Sequence, residues 1–383
     1  MTTISFPRGF RAHTGNAGVK DTTHDVALLV SDVPCAAAAV FTKSRFVGPS
    51  VTLSRRHVAD GRLQACVVVS KNANVATGAI GESNAAELAE LAARAAGCAP
   101  EDVLVASTGV IGRPYPMDRI RAHFAAIDGC EGTDATGVAE AIMTTDTRPK
   151  IAVAEAGAAR IVGLAKGSGM IEPDMATLIA LVVTDAAVDP AGLDRVFRDV
   201  VDRTFNSLSI DTDTSTSDTA AVLANGLAGP VAADELAAGL EAVCLDLTRQ
   251  LALDGEGANK LIVVDVTGAA TAEQARRVGK LVVNSPLVKT AVHGADPNWG
   301  RVAMAVGKSH DPSIDQDKVT ITFGGDEVYP RLPDANTLRA LECYMAGDEV
   351  HIGIDLALGS CRWAVYGCDL SDGYVRINAD YTT

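Results

Sequence analysis

Rings are scarce in this chain: aromatic residues make up 4% of its 383 positions. A core without large anchors has to be assembled from small aliphatic side chains, and the 48% hydrophobic content leaves ample material for one. Long apolar runs are missing as well. No stretch approaches the ~20 residues that cross a bilayer, and the opening MTTISFPRGFRAHTG lacks the apolar centre of a signal peptide. Positive charge is in deficit, 33 Lys and Arg against 48 Asp and Glu, for a net charge of -15. That balance argues against nucleic acid or an anionic membrane as partner, and a cytoplasmic protein is expected.

Metal and disulfide patterns are also absent. The eight cysteines are scattered with no CxxC pair, and several sit in apolar runs such as Gln64-Ala-Cys-Val-Val-Val69. They fit buried, reduced thiols. The seven histidines show no HxH or HxxxH spacing. No structural metal and no cofactor are expected.

What is present is an alternation of short β-type runs and amphipathic helices, an α/β pattern. Strand-like runs cover 25–30, 36–42, 50–54 and 65–70, broken by Gly, Pro and Asp. Asn84 opens a helical pattern with Glu87 as its capping-box partner, and Gly97 ends it. A strand, Val103 to Ser107, runs into Thr108-Gly109, where a glycine lets a ligand approach the backbone. Residues 137–143 read as helix, and 151–156 with 160–165 as a hairpin around Gly157. Pro190 starts a further helix, and Glu235 to Ala252 a long one. The Asp- and Thr-rich run 209–219 lacks the central Gly and terminal Glu of a calcium loop, and reads as a polar strand or site wall. Segment 293–300 reads as a structural corner. From Val319 the pattern is mostly strand, through Tyr374-Val-Arg-Ile-Asn378, so the chain is expected to end on a strand.

The stretch Lys166-Gly-Ser-Gly-Met-Ile-Glu-Pro-Asp-Met-Ala-Thr177 leads from a turn-prone run into the apolar run Leu178 to Val183. Two readings stand on pattern alone. Either it is a loop entering a core strand, or Thr177 is a nucleophile whose own amine is freed by cutting the chain before it. A free α-amine, with a pKa near ~8, can act as base for the adjacent hydroxyl.

Several ordered segments decide between them. Ser107-Thr-Gly-Val-Ile-Gly112, Met143-Thr-Thr-Asp-Thr147, Lys166-Gly-Ser-Gly-Met170, Met175-Ala-Thr177, Asp254-Gly-Glu-Gly-Ala258, Val288-Lys-Thr-Ala-Val-His-Gly294, Asp296-Pro-Asn-Trp-Gly-Arg301 and Asn378-Ala-Asp-Tyr-Thr-Thr383 together resemble the ornithine acetyltransferase family. The resemblance spans nearly the whole chain. It implies a layered αββα-type N-terminal-nucleophile fold. It also implies self-cleavage between Ala176 and Thr177, giving an alpha chain of residues 1–176 and a beta chain of residues 177–383. These would stay associated as an alpha2beta2 heterotetramer.

The implied activity is glutamate N-acetyltransfer: Thr177 takes the acetyl group of N-acetylornithine and passes it to glutamate in a ping-pong cycle. Thr108 and Gly109 would form the oxyanion hole. Thr144, Lys166, Thr177, Glu256, Asn378 and Thr383 would contact the amino-acid substrates. Lys166 suits an α-carboxylate and Glu256 the distal ammonium of ornithine. One loop departs from the family's arginine-pathway members, which usually carry Ser-Gly-Asn-Ala-Asn-Ala-Cys-Thr-Gly. Here it is Ser70-Lys-Asn-Ala-Asn-Val-Ala-Thr-Gly78, which resembles the paralogue of clavulanic acid clusters. The rival readings are an N-terminal-Thr amidohydrolase or aminopeptidase that passes the acyl group to water, and a non-enzymatic binding protein.

Overall fold

Near-continuous runs of small apolar residues call for a covered sheet, and the chain builds two sheets, the first with a core on each face and the second with a core under its helices. The computed structural model describes residues 3–172 and 178–380. The contacts of these residues separate two units: residues 3–167, 178–206 and 213–247, and residues 168–172, 207–212 and 248–380. The described strands are β1 (Phe10–Gly15), β2 (Val26–Phe41), β3 (Arg62–Val69), β4 (Val103–Ser107), β5 (Lys150–Ala156), β6 (Ala159–Lys166), β7 (Ile179–Ala187), β8 (Leu208–Ser209), β9 (Thr219–Pro230), β10 (Leu261–Ala269), β11 (Thr320–Phe323), β12 (Asp326–Tyr329), β13 (Glu349–Asp355) and β14 (Cys361–Cys368).

The first unit is built on one sheet in the order β4-β3-β2-β9-β7-β6-β5, with β1 paired to β2. Alternation along β2 sends Ala27 and Leu29 to one face and Leu28 and Val30 to the other. The helix Ala135–Ile142 covers the first face through Val138, Ala139 and Ile142. Helices Gly78–Ala96 and Met117–Ala125 cover the second through Leu88, Ala92 and Ile120. Leu28, Leu63 and Ile161 are fully enclosed, so truncating one to Ala costs about 2–5 kcal/mol. The helix Ala233–Leu253 lies close against β6, where a Cβ on Gly163 would come 2.9 Å from Leu247 and one on Gly239 2.7 Å from Ile161. Small residues here set the helix-to-strand distance.

The second unit has a sheet ordered β12-β11-β13-β10-β14-β8. Its central strand β10 runs parallel to β13 and antiparallel to β14. The helix Ala272–Val283 packs on it, with Gly279 against Val365. Helices Pro286–His293, Trp299–Gly307 and Ala335–Met345 close the same core through Val288, Val302 and Leu341.

Five local expectations are corrected. Residues 50–54 lie in the helix Pro49–His57: Pro49 stands at its start and Arg55, Arg56 and His57 fill its last turn, which outweighs the β-branched content. Asn84 is inside the helix Gly78–Ala96 and caps nothing, and Glu87 instead binds Arg121 at 2.5 Å. Residues 209–219 are not a strand: apart from the strand ends at Ser209 and Thr219 they form a loop, whose Asp211 accepts backbone N–H groups. The expected corner at 293–300 is confined to the residues between two helices. Tyr374 to Asn378 lie in the helix Asp372–Asp380, with Arg376 paired to Asp372 at 2.7 Å one turn earlier. The hairpin at Gly157 and the left-handed Gly97 after its helix stand where the pattern puts them, whereas the runs 25–30 and 36–42 join in one strand, Val26–Phe41.

Candidate active site

A strand end supplies the first group. β4 closes at Ser107, and the Thr108 N–H still reaches back to Val69 O at 3.1 Å. Gly109 then turns with φ +129, pressed on the Lys71 backbone so tightly that a Cβ would overlap it. Val110 N donates to Lys71 O at 3.1 Å, and Ala73 N to Val110 O at 3.1 Å. The turn is thus laced to the loop at 71–75 on both sides. The Gly109 N–H has no hydrogen-bond partner among the described residues, so it is available to an incoming oxygen.

Beside it, Lys166 at the end of β6 donates its ammonium to Thr108 Oγ1 at 3.2 Å. A hydroxyl whose oxygen accepts from a cation keeps its own proton to give away. Thr108 O–H and Gly109 N–H therefore form a pair of donors suited to a developing oxyanion.

Asp146, which the sequence shows inside the Met143–Thr147 segment without a site role, holds this arrangement together. Its Oδ1 accepts from Lys150 Nζ at 2.7 Å and from Gly167 N at 2.6 Å, and its Oδ2 from Thr144 N at 2.9 Å. The Asp146 and Lys150 side chains are fully enclosed. Burial pushes the Asp146 carboxyl up, but the charges of Lys166 and Lys150 and the Gly167 N–H outweigh it, and the group stays below its ordinary range. One carboxylate thus fixes the backbones at Thr144 and at Gly167, next to two of the expected substrate contacts. The available signal was Asp146 four residues before Lys150 in a Thr-rich turn.

A cleft of about 1090 Å³ opens in the same unit, lined among others by Lys20, Lys71, Arg113 and Thr144. Lys20 is pushed down to about 8 by burial, partly offset by Asp25 and Asp146, with Lys166 and Lys71 lowering it further. The loop at its edge is strained. Lys71, Asn74 and Ala76 have φ of +76, +52 and +58. Asn tolerates this region, whereas Lys and Ala each pay about 1–2 kcal/mol for it. The asparagines of this loop serve the loop itself: Asn72 Oδ1 accepts from Asn74 N at 2.8 Å, and Asn74 Nδ2 donates to Gly81 O at 2.9 Å.

The second unit brings together a separate pair. Glu256 sits between Gly255 and Gly257, and its N–H donates to Ser168 O at 2.7 Å. The Glu256 carboxylate rests over Gly169, where a Cβ would lie 2.7 Å from Glu256 Oε1 and push the carboxylate aside. Gly257, at φ +71, lies against the backbone of Gly373 and Tyr374. That contact presents the C-terminal helix to the turn, and Asn378 Nδ2 donates to Glu256 Oε2 at 2.9 Å. Asp211 fixes the neighbouring chain by accepting from Met170 N and Ile171 N at 2.6 and 2.7 Å.

The expected site residues are therefore collected in two groups, Thr108 with Gly109, Thr144 and Lys166 in one unit, and Glu256 with Asn378 in the other. Ala176, Thr177 and Thr383 lie outside the described residues. Among those described, no cluster of three His, Cys, Asp or Glu could hold a metal ion, and no helix is long and apolar enough to cross a membrane.

Known proteins match along the full length. The chain is 56% identical over 392 aligned residues to glutamate N-acetyltransferase Oat2 of Streptomyces clavuligerus, covering 100% of this chain and 99% of the relative. It is 52% identical over 381 residues to the arginine biosynthesis bifunctional protein ArgJ of Rhodococcoides fascians, covering 98% and 94%. The crystal structure of the arginine biosynthesis bifunctional protein ArgJ from Bacillus halodurans is 38% identical, covers 51% of this chain and 96% of its own, and superposes with a TM-score of 0.49. The ArgJ family model matches residues 11–383, and the chain belongs to that family.

Proposed function

We propose that this protein is a glutamate N-acetyltransferase, moving the acetyl group of N2-acetyl-L-ornithine to L-glutamate. The observation that carries this reading is the full-length likeness, at 56% identity, to a relative named for that activity. The donor pair at Thr108 and Gly109 supports acyl-transfer chemistry.

The chain cuts itself between Ala176 and Thr177. The Thr177 hydroxyl adds to the Ala176 carbonyl, the amide shifts to an ester, and water hydrolyses the ester, freeing the Thr177 amine. In turnover that amine takes the hydroxyl proton as Thr177 attacks the acetyl carbonyl. The oxyanion rests on Thr108 and Gly109, ornithine leaves with the proton, and an acetyl ester remains on Thr177. The α-amine of glutamate attacks this ester, and Thr177 leaves with its hydroxyl restored.

Thr144, Lys166, Glu256, Asn378 and Thr383 bind the amino acids, with Lys166 on the α-carboxylate and Glu256 on the ornithine ammonium. Residues 1–176 and 177–383 remain together as an alpha2beta2 heterotetramer in the cytoplasm.

Incubation with N-acetylornithine, with and without glutamate, separates transfer from hydrolysis. Ornithine release is expected to need glutamate for sustained turnover, with N-acetylglutamate formed in equal amount. Release that is equally fast without glutamate overturns the transferase reading in favour of an amidohydrolase.

A further inference from the structure

The strand that delivers Thr108 and Gly109 to the site, β4, is the edge of its sheet, so one row of its backbone groups has no neighbouring strand. The helix Pro49–His57 stands in for that strand. Ser50, Ser54 and His57 recur at the i, i+4, i+7 spacing of one helix face, and they meet Ser107, Val105 and Val103 along β4. His57 Nδ1 donates to Val103 O at 2.7 Å. The Ser54 hydroxyl donates to Val105 O at 2.7 Å and accepts from Val105 N at 2.8 Å. At Ser107 the contact passes to side chains: Ser50 Oγ lies 2.8 Å from Ser107 Oγ and 3.1 Å from the Tyr115 hydroxyl. Ser50, Ser107 and Tyr115 are all buried.

Each of these hydroxyls has one proton, which fixes the direction of the chain they form. Ala73 O can only accept, so the Ser107 proton is committed to it at 3.1 Å. Ser107 Oγ is left as an acceptor, Ser50 donates to it, and Ser50 in turn accepts from Tyr115. Burial pushes the Tyr115 hydroxyl up to about 12, against the smaller pull of Ser107 and Ser50, so the chain starts from a group that keeps its proton. It ends on the residue whose N–H holds Val110 O at 3.1 Å, directly after Gly109. Asn72, beside Ala73, is fastened to Pro114 O at 3.0 Å, beside Tyr115.

We propose that Tyr115 and Ser50 are positioning residues of the oxyanion hole: their hydroxyl relay through Ser107 locks the Ala73 peptide, and with it the direction of the Gly109 N–H. This deepens the acyl-transfer reading above and rests on it. An oxyanion donor is effective when it is aimed before the charge develops. Hydroxyls pointing one way in a water-free interior polarise one another and stiffen the turn, and they add no charge to the site.

Tyr115→Phe removes one oxygen and keeps the ring. Its kcat should fall at least about fivefold, short of the ~100-fold that loss of an oxyanion donor costs, with the KM for N-acetylornithine unchanged. The thermal midpoint should drop by no more than about 4 °C. Ser50→Ala cuts the relay in the middle, so its loss in kcat should be the larger of the two. Both half-reactions pass through a tetrahedral oxyanion, so the ornithine burst and the transfer to glutamate should slow by one factor. In a Gly109→Ala background, where the N–H is already displaced, Tyr115→Phe should change kcat by less than about twofold.

A kcat for Tyr115→Phe within about twofold of the parent would overturn the assignment. So would losses that multiply in the double variant, since the hydroxyls would then act elsewhere than on Gly109. A raised KM at unchanged kcat would overturn it too, being the mark of a lost substrate contact. Ornithine release that needs no glutamate overturns the transferase reading alone, and the same kcat ratios then test the relay on hydrolysis. A parent that releases no ornithine sinks both.

Discussion

Thr144 and Gly167, the residue after Lys166, are tied to a carboxylate that is fully enclosed, whereas Glu256 and Asn378 meet at the exposed end of a helix. In the first unit one buried ion pair, Asp146 with Lys150, holds two backbone segments. Removing either partner leaves a charge stranded in the interior. In the second unit the clearance comes from glycines, and the hydrogen bond between Asn378 and Glu256 lies where water can replace it. The lesson is that site residues of one protein fail differently. A change in the first group costs the fold and the chemistry together, while a change in the second costs chemistry alone.

The contrast can be broken by substitution, and the largest effect belongs to the buried pair. Asp146→Ala should destabilise the protein by about 3–5 kcal/mol, read by denaturant unfolding. The same carboxylate sets an acid limit. Because its folded pKa is depressed, its stabilisation is complete above the ordinary carboxylate pKa of ~3.9 and is lost as pH falls through the lower folded value. The melting temperature of the parent should therefore fall more steeply below pH ~4 than that of Asp146→Asn.

Gly109→Ala comes next. Its Cβ would overlap the Lys71 backbone and displace the N–H proposed to hold the oxyanion. A loss of ~100-fold or more in kcat is expected, with a smaller loss in stability; steady-state kinetics with N-acetylornithine measure it. Asn378→Ala marks the small end of the scale. Stability should move by no more than about 0.5 kcal/mol, while the KM for N-acetylornithine rises several-fold. A large loss of stability here would erase the distinction between the two groups.

Much of the first unit was legible because its signals are local. The hairpin at Gly157, the strand Val103–Ser107 and the helix ending at Gly97 all follow from period and turn chemistry. Helices at both ends of the chain were misread for one reason. Val51, Thr52 and Leu53, and likewise Tyr374, Val375 and Ile377, have strand propensity, but Pro49 and the Arg376–Asp372 pair favour helix. Propensity is a weak guide over five residues.

The site itself was read chiefly from motif resemblance, which names residues but not their supports. The pairing of Asp146 with Lys150 went unread because it depends on an enclosed position that spacing alone does not reveal. The strain at Lys71 was equally hidden, since a backbone angle leaves no mark in composition.

The central claim is that Thr177 begins a second polypeptide. Intact-mass spectrometry of the purified, denatured protein tests it most directly, with Thr177→Ala alongside. Two fragments whose masses match cleavage between Ala176 and Thr177, and a single uncut species in the variant, are the expected result. A single full-length species in an active parent preparation, or cleavage persisting in Thr177→Ala, would contradict the account.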